Sequence, residues 1–132
     1  MRLDAHQHFW RYAPATHPWI DESMAALKRD FLPDDLAPLL AAAGFDGCIA
    51  VQAEQSTAET DWLLALARRH AFIRGVVGWV DLRAPDCAGV LAEKAEDPGF
   101  RGVRHIAQDE RDDRFLLRDD FGRGLAALEP LG

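Results

Sequence analysis

Cysteine is scarce in this chain of 132 residues, which holds only Cys48 and Cys87. Two thiols build no disulfide framework, and these two lack the paired spacing of a zinc knuckle. Cys48 lies inside an apolar run and reads as a small buried hydrophobe. Long apolar stretches are missing as well. No segment approaches the roughly 20 residues needed to cross a bilayer, so no membrane partner is expected. Met1-Arg2-Leu3-Asp4 carries no apolar core of a signal peptide, which makes the cytoplasm the default location. Positive charge is short: 15 basic residues stand against 22 acidic ones, for a formal net charge of −7. That balance argues against nucleic acid, which needs a basic face to displace counterions. A small anionic substrate stays open, because a few arginines act locally in a pocket. With 48% hydrophobic and 28% charged residues, the chain has the composition of one globular unit with a real core.

A glycine-rich phosphate loop is also lacking, and that absence matters once the rhythm of the chain is read. Met1 to Phe9 predicts a first strand. A loop rich in proline and aromatics follows, through Tyr12, Pro14, Pro18 and Trp19, with a short helical turn over Ser23 to Lys28. Leu32-Pro33-Asp34-Asp35 opens a helix, with proline near its first position and acids in its first turn. Leu36, Leu39 and Leu40 supply an apolar stripe, and Gly44 is its expected C-terminal stop. Gly47 to Ala53 is a continuous apolar run, the mark of a parallel strand buried on both faces. Ser56-Thr57-Ala58-Glu59 reads as a capping box ahead of a helix carrying Trp62, Leu63, Leu66 and Ala67. Phe72 to Val80 predicts a third strand, Pro85 to Glu96 a third helix, and Phe100 to Ile106 a fourth strand. Asp109 to Asp113 is a charged run, read as a solvated loop. Asp119 to Leu128 predicts a helical tail with Pro130 and Gly132 as its exit.

Strand and helix thus alternate four times. Doubly wound sheets and (β/α)₈ barrels both do this. Asp4-Ala5-His6-Gln7-His8 stands where a nucleotide-binding fold would place its glycines, which lowers that reading. A barrel needs about 250 residues. The chain therefore predicts half of a (β/α)₈ barrel, an α/β N-terminal portion over residues 1–132 as one unit. A complete flavodoxin-like sheet is the structural rival.

Residues two apart on a strand share a face. Asp4, His6 and His8 should therefore project together at the C-terminal end of the first strand, where barrel active sites form. Two neutral imidazoles so placed can bind one divalent metal. Further along, Gln52 ends the second strand, to hydrogen-bond a substrate hydroxyl or to cap a neighbouring loop. Trp79 ends the third, as an apolar wall for a sugar ring or as core packing. Asp81 reads as a turn cap. Arg104 and His105 end the fourth strand, and adjacent residues face opposite ways. Arg104 shares a face with Gly102, which leaves it room to reach a carbonyl or a carboxylate. His105 either joins it or packs between strand and helix. Trp10, His17 and Trp19 either rim the pocket or anchor their loop. Arg68 and Arg69 end the second helix and suit its dipole.

Asp-Ala-His-Gln-His-Phe-Trp at 4–10 resembles the opening of the amidohydrolase superfamily, and within it the branch of sugar-lactone hydrolases, the fucono- and rhamnono-lactonase-like enzymes. Val51-Gln52-Ala53 with Glu59-Thr60, then Gly75-Val76-Val77-Gly78-Trp79-Val80-Asp81-Leu82, then Phe100-Arg101-Gly102-Val103-Arg104-His105 continue the likeness in order, over essentially the whole chain. The resemblance implies a hydrolase that opens a sugar-acid lactone. It implies that His6 and His8 are catalytic and bind a divalent ion, zinc or manganese, although some lactonases of this branch work without metal. Gln52, Trp79, Arg104 and His105 are the expected substrate contacts. A later histidine and a strand-eight aspartate, implied as ligand and general base, fall outside residues 1–132, so this stretch alone is expected to be inactive. Two other readings stay open. One is a metal-dependent amidohydrolase or decarboxylase acting on a carboxylated substrate. The other is an inactive half-barrel, or one that pairs with a second copy or a separate half through its edge strands.

Overall fold

The computed structural model describes residues 1–132. Its strands are β1 (Leu3–Gln7), β2 (Gly47–Val51), β3 (Ile73–Gly78) and β4 (Phe100–Val103). They form one parallel sheet in the order β1-β2-β3-β4. The helices between and after them are α1 (Pro33–Ala43), α2 (Thr57–Arg69), α3 (Cys87–Ala95) and α4 (Asp119–Ala126). No helix is long and apolar enough to cross a membrane. A flavodoxin-like sheet would place its second strand outside the first, in the order 2-1-3. Strictly sequential order is how a (β/α)₈ barrel lays down its strands. The chain is therefore α/β, four consecutive βα units of such a barrel. Each strand pairing contains a register irregularity: between Asp4 and Gln7, between Cys48 and Ile49, and between Val76 and Val77. Irregularities of this kind bend and twist a sheet, and barrel curvature needs that.

One sheet face is covered by helices. Phe9, Cys48, Ala50, Ile73 and Val76 meet Leu40 of α1 and Leu63, Leu64 and Leu66 of α2. A second cluster joins Val80 and Leu82 to Cys87 and Leu91 of α3, Phe115, and Phe121 of α4. Cys48 is fully buried, as its apolar run predicts, and burial pushes its thiol up to about 12, with the charge of Asp4 acting the same way. Helix ends follow their sequence signals. Asp35 accepts a hydrogen bond from the Leu32 amide at 2.9 Å, and Gly44 ends α1 in the left-handed region at φ 70°. Arg69 bonds back to the Ala65 carbonyl near the end of α2, and Arg68 pairs with Asp97. The expected turn over 23–28 is a 3₁₀ helix, Glu22–Leu27. The tail helix ends at Ala126, short of the expected Leu128, and Pro130 lies past it within a separate 3₁₀ turn, Glu129–Leu131.

All four strands also stop short of their predicted C-terminal ends. His8, Gln52, Trp79, Arg104 and His105 lie just past β1, β2, β3 and β4. These polar and aromatic side chains find partners outside the strand ladder, and the ladder ends where they begin. At β3 the handover is made by Thr60 of α2, which is fully buried. Its hydroxyl donates to the Trp79 carbonyl at 2.8 Å and accepts from the Trp79 amide at 2.8 Å. Gly78 allows the approach, since a Cβ there would stand 2.5 Å from Thr60 Cγ2. Thr60→Val keeps the shape and strands both buried backbone groups. It should lower the stability to urea by about 1–3 kcal/mol, and an unchanged unfolding midpoint would show that the clamp carries no weight.

Candidate active site

The site begins with His8, one residue past β1. Its Nδ1 lies 3.0 Å from the Val51 carbonyl at the end of β2. A carbonyl only accepts, so the proton sits on Nδ1 and Nε2 carries a free lone pair. His6 Nε2 is 3.1 Å from His8 Nε2, with the rings edge to face at 72°. His6 therefore donates from Nε2. Burial holds the His8 imidazole below its ordinary value. The charges of His6 and Arg104 push the same way, against the pull of the Val51 carbonyl. His8 is thus kept as the neutral form that a ligand or proton acceptor must be.

Alternation along β1 brings His6 and His8 together as the sequence predicts. Asp4 is drawn off: its carboxylate accepts from the His6 backbone amide at 3.0 Å. Two imidazole nitrogens on one tetrahedral zinc sit about 3.3 Å apart, from Zn–N bonds of about 2.0–2.1 Å. The 3.1 Å separation of the two Nε2 atoms fits two positions of such an ion. No third histidine, cysteine or carboxylate of residues 1–132 completes a metal cluster.

Arg104 reaches the same place from β4. One of its terminal nitrogens donates to the Gln52 carbonyl at 3.2 Å, and Gln52 Nε2 faces the Arg104 carbonyl at 3.4 Å. His8 and Arg104 line a cavity of about 290 Å³ with Trp10 and Trp19 on one side and Ile106, Gln108 and Asp109 on the other. The volume falls at the small end of ligand sites, which run from about 300 to 1,000 Å³. Ala53 closes it from β2. Glu59 fixes that segment by accepting from the amides of Ala53 and Glu54 at 3.0 and 2.8 Å. Half of the predicted capping box therefore forms: Ser56 Oγ accepts from the Glu59 amide at 3.1 Å, while the Glu59 carboxylate serves the loop and leaves the Ser56 amide alone. Gln55 carries the tie onward, accepting from the Ile106 amide at 2.9 Å.

The other expected contacts lie elsewhere. Gln52 is fully buried, and its Oε1 has no partner. His105 stacks on Phe115 at 4.6 Å, takes a hydrogen bond from the Trp79 indole at 3.3 Å and gives one to Glu110 at 2.6 Å. That is the packing alternative, and it carries Trp79 with it. Strand parity is the reason: Val103 and His105 face the helices, as do Val76 and Gly78, whereas Arg104 faces inward. Asp81 caps its turn through the Arg83 amide at 3.0 Å, as read. His17 is buried behind Trp10 and bonded to Thr16, an anchor of its loop. Trp10 does both of the things proposed for it, lining the cavity while its indole donates to the Arg29 carbonyl at 3.0 Å. The charged run is not all solvated loop: Asp109 stands exposed on the cavity wall, but Glu110 turns in to His105. Nothing in the run Asp109 to Asp113 distinguishes its first residue from the rest.

Sequential parallel βα units, with polar groups gathered past the strand ends, define a (β/α)₈-barrel protein with its site at the C-terminal face of the strands. The amidohydrolase family model matches residues 3–132, and the chain belongs to that family. An L-fucono-1,5-lactonase of Burkholderia multivorans is 50% identical over 130 residues, which cover 98% of this chain and 44% of that protein. One of Burkholderia ambifaria is 44% identical over 115 residues, covering 87% and 40%. A crystal structure of a Burkholderia multivorans amidohydrolase with bound zinc superposes with a TM-score of 0.90 at 48% identity, covering 98% of this chain and 46% of that one. The chain spans less than half the length of the curated relatives it matches.

Burial pushes the Glu59 carboxyl up to about 7, against the pull of the two amides it holds. The folded chain then keeps the Glu59 proton between about pH 4.5 and 7, where the unfolded chain has released it. The stability this group contributes is complete below about 4.5 and is lost as pH rises through 7. Glu59→Gln should therefore gain on the unsubstituted protein as pH rises from 5 to 8. Thermal melts of both at the two pH values test this, and a constant difference in Tm between them would sink it.

Proposed function

We propose that the protein is a lactonase that hydrolyses a 1,5-lactone of a sugar acid, and that His6, His8 and Arg104 are its functional groups in this part of the fold. The observation that carries the reading is the meeting of the His8 imidazole and the Arg104 guanidinium on one small cavity past the strand ends, with His6 paired to His8 beside it. Identity of 50% over 130 residues and of 44% over 115 residues to two L-fucono-1,5-lactonases supports the substrate class.

In the reaction, water adds to the lactone carbonyl carbon, the ring C–O bond breaks, and an open-chain hydroxy acid leaves. Negative charge gathers on the former carbonyl oxygen as water adds. Arg104 has one nitrogen committed to the Gln52 carbonyl and its remaining N–H groups free for that oxygen. His8 turns its Nε2 lone pair toward His6, whose Nε2 N–H it accepts until a ligand or proton takes that place. His6 and His8 would also hold a divalent ion, which when bound supplies Lewis-acid polarisation of the carbonyl and a more acidic water. Zinc is the candidate, since a relative at 48% identity carries it.

The test is lactone opening followed by acid release in the protein. Arg104→Ala and His8→Ala should each lower kcat/KM by about 10²–10³-fold. Metal analysis of the purified protein should find an ion that His6→Ala together with His8→Ala removes. Turnover that survives both substitutions would end the proposal, whereas turnover without any bound metal would limit the histidines to contacting substrate.

A further inference from the structure

The cavity is chemically two-sided, and the strand order shows how. Trp10 and Trp19 come from the loop after β1, at one edge of the sheet. Gln108 and Asp109 come from the loop after β4, at the other. Arg104 stands beside the polar side. A ligand here meets an aromatic wall from the loop after β1 and, from the loop after β4, the apolar Ile106 together with the hydrogen-bonding Gln108 and Asp109.

The two tryptophans are not equivalent. Trp10 is 8% exposed, tied to the Arg29 carbonyl through its indole and packed at a tilt of 46° against Phe31 at 4.7 Å. It is a fixed backing. Trp19 stands edge to face on it at 6.4 Å and is also 6.4 Å from the buried His17 ring. It keeps 46% of its surface exposed at the cavity mouth. An indole that served only as an anchor would be covered. Trp19 is instead held from behind and left open in front.

We propose that Trp19 is a specificity-determining residue, packing against the apolar flank and C6 of the sugar lactone and selecting a 6-deoxy sugar over its 6-hydroxy counterpart. The inference rests on the lactonase reading and adds the part of the substrate that this wall recognises. A methyl group against indole gains apolar contact. A hydroxymethyl in the same place gives up a water hydrogen bond and faces no acceptor on that side. The sugar hydroxyls are left to Gln108 and Asp109 across the cavity.

The experiment compares kcat/KM for freshly prepared L-fucono-1,5-lactone and L-galactono-1,5-lactone, which differ only in the C6 hydroxyl. It uses the full-length protein, unsubstituted and as Trp19→Ala, Trp19→Leu and Trp19→Phe, because residues 1–132 alone lack the expected general base. The unsubstituted protein should favour the deoxy lactone. Trp19→Ala and Trp19→Leu should cut that preference by roughly tenfold, mainly through KM, while Trp19→Phe retains most of it. A ratio of two rates does not depend on how much of a variant folds, so partial unfolding cannot mimic the result. Equal treatment of both lactones by the unsubstituted protein, or an unchanged preference in Trp19→Ala, overturns the inference and leaves the lactonase reading in place. Failure of the unsubstituted protein to open either lactone removes that reading, and this one with it.

Discussion

Two successive carbonyls at the end of β2 hold the site together. Val51 fixes His8 and Gln52 fixes Arg104, so groups arriving from the first and fourth strands are oriented by the second. The arrangement depends on parallel strands laid in sequential order, because only then do all strand C-termini open at one rim. It also depends on β2 ending at Val51. Were the ladder to continue, its carbonyls would be taken by backbone amides, and His8 would have nothing to set its tautomer. The Gln52 amide still bonds to the Val77 carbonyl at 2.8 Å, so the chain leaves the sheet gradually, with its last carbonyls turned to side chains.

That geometry resolves an apparent conflict in the charge of the molecule. The chain carries a formal net charge of −7, yet the cavity presents a guanidinium and an imidazole. Field at a small enclosed site is set by the groups that face it and by how little water separates them. The acidic residues nearest the site are largely engaged: Asp4 on the His6 amide, Glu59 on the Ala53 and Glu54 amides, and Glu110 on His105. Asp109 is the exposed carboxylate on the wall, across the cavity from the tryptophans.

Much of this was legible in the sequence, for reasons specific to each element. The period-two spacing of His6 and His8 survives because the register irregularity of β1 changes its pairing with β2 without breaking the alternation of the histidines. The buried run over Gly47 to Ala53 could only be a strand covered by helices. Parity leaves both Arg104 and His105 open as substrate contacts, because strand ends bend, and it is the contacts of His105 with Phe115 and Glu110 that part them. What parity could not supply was the fate of Trp79, whose indole turns to His105, or of Gln52, whose side chain is sealed between β2 and β4. Both sit where a strand becomes a loop, and side-chain direction there is decided by tertiary partners. The aromatic wall expected of Trp79 is instead built by Trp10 and Trp19, from a loop whose course no periodicity describes. Asp109 was hidden for the same reason.

The second sheet face sets a final constraint. Ile49 and Val77 line it, Gly75 has Arg101 lying across it, and Gly102 faces open space where a Cβ would touch nothing within 4 Å. Such a face is tolerable in a barrel, where small residues make room for side chains from the strands opposite. The same logic applies to the histidine pair. His6 and His8 have no third histidine, cysteine or carboxylate of residues 1–132 completing a cluster with them, and Gln52 Oε1 is buried without a partner. The relatives are more than twice as long as the matched stretch, and their additional residues are long enough for four further βα units. The histidine pair and the uncovered sheet face both point toward the centre of a closed barrel. On this argument the chemistry of residues 1–132 is that of one wall of a site, with its substrate-orienting groups already fixed by contacts made within that wall.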